Sequence, residues 1–443
     1  MSAIGKQVKR YTPVFVILSA FLMFGALINY WMILRIEIPE VNIIVEISIV
    51  TLLVFLLILI VRYFFLIWFS YLEHIQGSGI SNDGNDYVPM VSIIVPAYNE
   101  EKVITSSIQS LKRLDYPGFE IIVVNDGSTD TTYETARRLE GEYGNHRIRV
   151  FTKGNEGKGA ALNFGIRMAS GPIVVCVDSD SRLSRDALRH GIRYFRDPKV
   201  GAVAGNVKVA NRQKTITRLQ ALEYIEGLNL VRKAQAFFRS VNIIPGPIGF
   251  FRRETIEQVG FYDTDTFAED CDLTLKILMN GWQIRYEPKA IAYTEAPETL
   301  GALLKQRYRW TRGILQSIAK RKRELFRFRK GTVPTFTMWY MIFEGLIWPF
   351  MNIYSNLFLI FISLVYGFST LLVLWWLQLI LLDLATALHS NVMEREELLL
   401  VPYAFFYRLF YILIVDLCKL FATFEELSGV RMTWGKLVRL GRI

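Results

Sequence analysis

Cysteine is scarce in this chain. Three residues, Cys176, Cys271 and Cys418, stand far apart among 443. An odd, scattered set supports no disulfide framework and has no zinc-ligand spacing. Zinc-finger spacing and basic-aromatic RNA motifs are missing as well. Nucleic acid is therefore the weakest explanation for a formal net charge of +10, from 51 basic and 41 acidic residues. An anionic lipid surface or a phosphorylated substrate explains it better. Glycine-rich turns occur, but none has the G-x-x-x-x-G-K-[ST] spacing of a nucleotide-triphosphate loop. No c-di-GMP-binding arginine motif is found.

What the chain has in excess is apolar surface. It is 52% hydrophobic and 14% aromatic, with a mean hydropathy of +0.27. That is too apolar for an ordinary soluble domain, and the length allows two or three domains. A spanning helix needs about 20 mostly apolar residues. Thr12 to Leu34 meets this, and so does the run from Ile43 to about Tyr71, interrupted by Glu46 and Arg62. The first has the basic flank of a signal peptide (Lys6, Lys9, Arg10) but no small-residue cleavage site, so it reads as a retained anchor. Further apolar regions run from about Phe336 to Gly367, Leu371 to Leu388 and Leu400 to Phe424. The first of these suits an interfacial helix followed by a span, with Pro349 at the junction. Expected boundaries are residues 1–76 for two N-terminal spans, 77–331 for a water-soluble domain, and 332–443 for an interfacial helix and the C-terminal spans. GSGISNDGNDYVP is the linker into the soluble part. Ala319 to Lys330 carries seven basic residues and one acidic one, which marks a cytoplasmic flank. Arg431, Lys436, Arg439 and Arg442 argue for a cytoplasmic tail, whereas three late spans would put that tail outside.

The soluble part alternates strand and helix. VSIIVPAYNE is an apolar run ending in a polar loop, followed by an amphipathic stretch with Val103, Ile104, Ile108 and Leu111 on one face. FEIIVVNDGSTD, RIRVFTKGNEGKGAALNFGI and PIVVCVDSDSRLSRDAL repeat the pattern. Such repetition predicts an α/β fold with a parallel sheet buried on both faces. Ligands of open α/β sheets bind at the carboxyl ends of the strands, where these polar loops fall.

Those loops carry the chemistry. Asp178 and Asp180 lie one residue apart in VDSDS. Two such carboxylates suit a hard divalent cation shared with substrate phosphates; solvated acids, or caps of the helix that follows, are the plain alternative. Glu269, Asp270 and Asp272 crowd the start of a helical pattern in FAEDCDLTLKILMNGW. Acidic residues suit a helix N-terminus, and a base for proton removal needs a carboxylate too. TITRLQALEYIEGLNLVRKAQAFFRS reads as an amphipathic helix for a bilayer surface or a channel wall. Glu344, Asp383, Arg408 and Asp416 are ionisable groups within late apolar runs. They suit a polar path, interfacial placement or mutual pairing.

Taken in order, VPAYNE, VVNDGSTD, GKGAALN, DSD, GPIGFFRRE, AEDCD and QRYRW form a set far more specific than any member. The set resembles the family 2 glycosyltransferases, whose fold is the Rossmann-like GT-A fold. Within them it is similar to the membrane-integrated processive synthases that make hyaluronan, chitin, cellulose and poly-β-1,6-N-acetylglucosamine, and most similar in layout to the last. The resemblance implies a GT-A domain between transmembrane helices. It implies a UDP-sugar donor, with UDP-N-acetylglucosamine foremost, a growing polysaccharide acceptor, and Mg²⁺ or Mn²⁺. Pro96, Tyr98, Glu100, Asp126, Lys158, Asp178 and Arg309 would line the nucleotide-sugar site, with Asp126 on the uracil and Lys158 on the diphosphate. Asp180, with Asp178, would hold the metal. Gly246, Gly249, Gln306 and Trp310 would serve the acceptor. Asp270 would be the base with Glu269 beside it, although Ala268 stands where the family has threonine; Asp272 is assigned to a helix face or cap. The lipid bilayer is an implied partner, an accessory membrane subunit is a further one, and nucleic acid is not. The implied location is the plasma membrane, multi-pass, with the catalytic domain in the cytoplasm. A transferase that adds one sugar to a polyprenyl phosphate is the alternative, though QRYRW argues for polymerisation. A transporter or receptor with a degenerate transferase-like domain is a third reading, disfavoured because each motif keeps its acid.

Overall fold

The computed structural model describes residues 3–35, 42–78, 87–326 and 332–430. Much of the expected linker and the four basic residues of the tail lie outside them. The chain opens with helices α1 (Ala3–Arg35) and α2 (Ile43–Ser78). The α/β part begins with β1 (Val91–Ala97), α3 (Ile104–Lys112), β2 (Phe119–Asp126), α4 (Thr132–Arg137), β3 (Gly141–Tyr143) and β4 (His146–Lys153). It continues with α5 (Lys158–Met168), β5 (Ile173–Cys176), β6 (Ser181–Leu183), α6 (Ala187–Ile192), β7 (Val200–Val209), α7 (Thr215–Leu222) and α8 (Leu230–Phe237). It closes with β8 (Gly249–Arg252), α9 (Arg253–Val259), α10 (Glu269–Met279), β9 (Gln283–Thr294) and α11 (Leu300–Lys320). Helices α12 (Thr332–Ile342), α13 (Trp348–Tyr366), α14 (Ser369–Glu394), α15 (Tyr403–Phe406) and α16 (Ile412–Leu427) follow.

Among the described residues the strands form one nine-stranded sheet in the order β3-β4-β2-β1-β5-β8-β7-β9-β6. The four strands predicted from apolar runs, β1, β2, β4 and β5, are parallel. The rest of the sheet is mixed: β8 runs antiparallel to β5 and β7, and β3 and β6 are antiparallel edges. The all-parallel expectation is thus corrected for three of the nine strands, β3, β6 and β8. The antiparallel strands are short or follow loops rather than crossover helices, so they lack the apolar-run-then-helix signature. Alternate residues of the central strands feed separate cores. Ile93, Val95, Ile121, Val123 and Val175 pack on one side, and Ile94, Ile122, Val124 and Val174 on the other. Double-sided burial is why these strands read as unbroken apolar runs.

The chain steps from β1 outward to β2 and β4, then returns to β5 on the other side of β1. The strand order therefore switches between β1 and β5, and a crevice opens at their carboxyl ends.

Among the described residues five helices are long and apolar enough to cross a membrane: Tyr11–Met32, Ile43–Gly77, Pro334–Tyr366, Thr370–Glu394 and Leu398–Leu427. The third is continuous through a π-turn at Phe343–Ile347, which directly precedes Pro349; the wider turn accommodates a residue that has no backbone N–H to donate inside the helix. The amphipathic stretch forms α7, a π-turn (Glu223–Asn229) and α8. Its apolar face is buried against the long helices: Leu230, Val231 and Ala234 pack with Leu66, and Leu219 and Leu222 with Ala404 and Tyr407.

Candidate active site

The β1–β5 crevice holds a cavity of about 490 Å³. Pro96, Tyr98 and Glu100 line it from the end of β1, Asp126 from the end of β2, and Asp178 and Asp180 from the loop after β5. Lys158, the first residue of α5, and Arg309 of α11 complete the set. Every residue predicted for the nucleotide-sugar and metal sites is here, although they span more than 200 positions. Asn155 and Ser179, which no motif singled out, line it too.

Local chemistry shapes the walls. Asp126 accepts from the Gly157 N–H at 2.8 Å, the Glu156 N–H at 3.2 Å and Lys153 Nζ at 2.9 Å. This carboxylate therefore also fixes the loop before α5, a role its motif did not suggest. That loop aims the N-terminus of α5, and with it Lys158, at the cavity. Neither Asp178 nor Asp180 caps the following helix, because α6 begins at Ala187 with Asp186 before it.

A narrower cleft shares Lys158 and Asp178 with the large cavity. Glu269 and Asp270 line it from the first turn of α10, with Gly246, Gly249, Cys176 and Tyr262. Lys158 Nζ bridges Asp178 Oδ1 at 2.7 Å and Glu269 Oε1 at 2.9 Å. Burial works against the Lys158 ammonium, but Asp178, Glu269 and Asp270 outweigh it and hold its pKa above the ordinary lysine value. Asp270 is different. Burial first, and then the Glu269 charge, push its carboxyl up to about 6. Its Oδ1 accepts from the Cys271 N–H at 2.7 Å.

A Cβ on Gly246 would lie 2.8 Å from Lys158 Nζ and 3.0 Å from Asp178 Oδ2. A side chain there would push the lysine–aspartate pair aside. Gly249 faces Ile244 and Phe251, at 2.7 and 2.8 Å from a notional Cβ, so internal packing already accounts for it.

Gln306 and Trp310 line neither space. Gln306 is buried and accepts from Arg307. Trp310 packs beside Tyr224, and the Arg307 guanidinium lies 4.2 Å from its ring centre. Arg307, inside QRYRW yet unassigned from sequence, pairs with Glu223 of the π-turn, Nε to Oε1 at 3.2 Å. The one available signal was Glu223 itself, an acid in the amphipathic stretch. Asp272, assigned to a helix face or cap, is neither: it is fully buried and held by Arg321. A buried charge needs a partner, and that partner is 49 residues away.

A second cavity, of about 160 Å³, lies between the π-turn and the long helices. Arg62, Glu223, Glu226, Glu344, Arg408 and Lys419 line it. Each of the late-run ionisable groups has a partner, but only one pair is mutual: Arg408 holds Asp383 at 2.6 and 2.7 Å, whereas Glu344 pairs with Arg62 of α2 and Asp416 with Lys419 at 3.3 Å.

As to metal, no group of three or more His, Cys, Asp or Glu side chains among the described residues could hold an ion by itself. Asp178 and Asp180 nonetheless both face the large cavity. Two oxygen donors at a phosphate-sized opening fit a cation whose remaining ligands come from substrate.

A mixed sheet with a crevice of acidic loops at its switch point makes this an α/β domain that takes its ligand at the strand ends. Residues 89–313, just over half of the chain, match the model described as glycosyltransferase-like family 2, and the chain belongs to that family. Two curated relatives are poly-β-1,6-N-acetyl-D-glucosamine synthases. That of Staphylococcus aureus (strain COL) is 36% identical over 229 residues, 52% of this chain and 55% of that protein. That of Staphylococcus epidermidis is 35% identical over 225 residues, 50% and 54% of the respective chains. The match thus spans about half the length of these relatives. The mannosyltransferase PcManGT of Pyrobaculum calidifontis, solved with GDP-Man and Mn²⁺, superposes with a TM-score of 0.58 at 22% identity, covering 83% of this chain and 96% of that one. This likeness establishes the GT-A fold.

Proposed function

We propose that the protein is a processive, inverting β-glycosyltransferase. It polymerises sugar from a UDP-sugar, UDP-N-acetylglucosamine foremost, and passes the polysaccharide across the membrane in which its long helices sit. The catalytic domain faces the cytoplasm at the plasma membrane. The observation that carries this reading is the wall shared by the two site cavities: Lys158 and Asp178 border the large one, and the same pair borders the cleft of Asp270. Donor and acceptor can thus meet across one boundary.

In this reading the nucleotide lies against Pro96, Tyr98 and Glu100, with Asp126 on the base. The diphosphate faces Lys158, Arg309 and the N-terminus of α5, which favours negative charge. Asp270 takes the proton of the acceptor hydroxyl as that oxygen attacks the anomeric carbon. The bond to the diphosphate breaks on the opposite face, so configuration inverts. A divalent cation at Asp178 and Asp180 would supply charge neutralisation for the leaving diphosphate. Ion-paired Lys158 and nearby Arg309 add fixed positive charge.

Export is supported by a chain of contacts. Trp310 follows Arg309 of the donor cavity and packs on Arg307. Arg307 pairs with Glu223, and Glu223 lines the cavity at the long helices. Trp310 and Arg307 thus link Arg309, on the wall of the first space, to Glu223, on the wall of the second. Trp310→Ala is expected to shorten the polymer and slow elongation far more than it weakens UDP binding, because a methyl group cannot orient a sugar face. Polymer length against total UDP released is the measurement. Full-length product at a normal rate would make Trp310 a packing residue.

The proposal as a whole is tested with purified protein, a panel of UDP-sugars and Mg²⁺ or Mn²⁺, followed by mass analysis. A ladder of oligosaccharides is expected. One sugar on a lipid carrier would establish the polyprenyl-phosphate transferase instead, and absence of nucleotide release would overturn both.

A further inference from the structure

We infer that Arg321, at the end of α11, is a positioning residue for the base: through Asp272 it fixes the first turn of α10 and thereby sets where Asp270 stands relative to the donor. The inference rests on the proposed transfer reaction and goes beyond it, because no motif assigns Arg321 or Asp272 a part in that reaction.

Asp272 lies in the first turn of α10, two residues after Asp270. It is fully buried. Both of its oxygens are taken by one guanidinium: Arg321 Nη1 bonds Oδ1, and Nη2 bonds Oδ2 at 3.1 Å. A two-point contact fixes orientation as well as distance. Arg321 is itself held, since its Nη1 also donates to the Ser317 carbonyl at 3.2 Å.

The clamp does not stand alone. Lys320 Nζ contacts Asp263 Oδ2 and Asp265 Oδ1, each at 2.6 Å, in the loop leading to the base. Gln316 Oε1 accepts from the Phe267 N–H at 3.3 Å. At Gly313 a Cβ would lie 2.6 Å from the Ala268 nitrogen and 2.8 Å from the Phe267 carbonyl carbon. The helix thus touches the backbone just before Glu269 and leaves no room for a side chain.

Arg309, Gly313, Gln316 and Lys320 follow the spacing of a single helical stripe. At one end of that stripe Arg309 lines the donor cavity. At the other, Lys320 and Arg321 grip the base loop. One helix therefore measures the separation between leaving group and base. Transfer requires that separation to be right, because Asp270 must reach the acceptor proton while the new bond forms at the anomeric carbon and the diphosphate bond breaks. Hydrolysis of the donor places weaker demands, since water is small and adapts its approach.

The test is the ratio of sugar transferred to donor hydrolysed, which does not depend on the fraction of protein folded. Arg321→Met is expected to lower transfer by about 10- to 100-fold, with UDP affinity by calorimetry unchanged and hydrolysis reduced far less. Arg321→Lys keeps the charge but loses the two-point contact, and its ratio should fall between wild type and Arg321→Met. Lys320→Met removes a more exposed staple, whose Nζ also lies 3.6 Å from Asp272 Oδ1, and leaves the buried two-point contact in place, so it serves if Arg321→Met does not fold; a smaller drop in the same ratio is expected. An unchanged ratio in the variants that fold, beside active wild type, overturns the positioning role alone. Wild-type protein that transfers no sugar overturns the proposed function, and this inference with it.

Discussion

Asp270→Asn is expected to lower sugar transfer by about 10²–10⁴-fold, the usual cost of losing a general base. The substitution keeps shape and removes the proton acceptor. UDP binding should survive, because Asp270 lines the cleft and not the large cavity. The pH profile sharpens the test. Burial and Glu269 hold the Asp270 carboxyl at about 6, against about 4 for a free aspartate. The base form is lost as pH falls through that value, so wild-type transfer should rise with pH up to about 6 and level off above it. A carboxyl raised in the folded state contributes stability that is present below about 4 and lost as pH rises through the folded value. Asp270→Asn should therefore melt no lower than wild type at neutral pH. A variant that polymerises at a near-normal rate would remove Asp270 from the mechanism.

Removal of divalent cations is expected to abolish transfer, and Mg²⁺ or Mn²⁺ to restore it. Asp178 and Asp180 offer oxygen ligands but too few to retain an ion alone. Binding should then be shared with the diphosphate, and metal and UDP should strengthen one another. Asp180→Ala should reduce UDP affinity in the presence of metal and leave metal-free affinity much less altered. Calorimetry reads both. Equal UDP affinity with and without metal in the wild type would rule the shared-cation site out.

Much of the fold was legible because burial on both faces leaves a simple trace. β1, β2 and β5 are apolar runs of four to eight residues ending in polar loops, β4 alternates buried and half-buried residues before the same kind of loop, and the five long apolar helices are visible by length alone. β3, β6 and β8 left no such trace: each has three or four residues and gains its place from its neighbours' hydrogen bonds. The residues expected to meet the donor form a motif set, and one cavity gathers all of them. The residues expected to meet the acceptor are gathered less completely, since Gly246 and Gly249 reach the cleft and Gln306 and Trp310 do not.

The sequence by itself determined the residue types: carboxylates at strand ends, a lysine at a helix start, an acidic first turn, and apolar lengths that suit a bilayer. Each of these follows from local pattern, because periodicity and adjacency are properties of the chain alone. Tertiary structure decided their partners. Lys158 binds both Asp178 and Glu269 because α5 and α10 converge on one strand end. Asp272 is a buried ion-pair member because Arg321 comes back across 49 residues. Arg307 is tied to Glu223, 84 residues distant. A charge's meaning depends on which opposite charge reaches it and on how much water is excluded, and only the folded chain sets those two quantities.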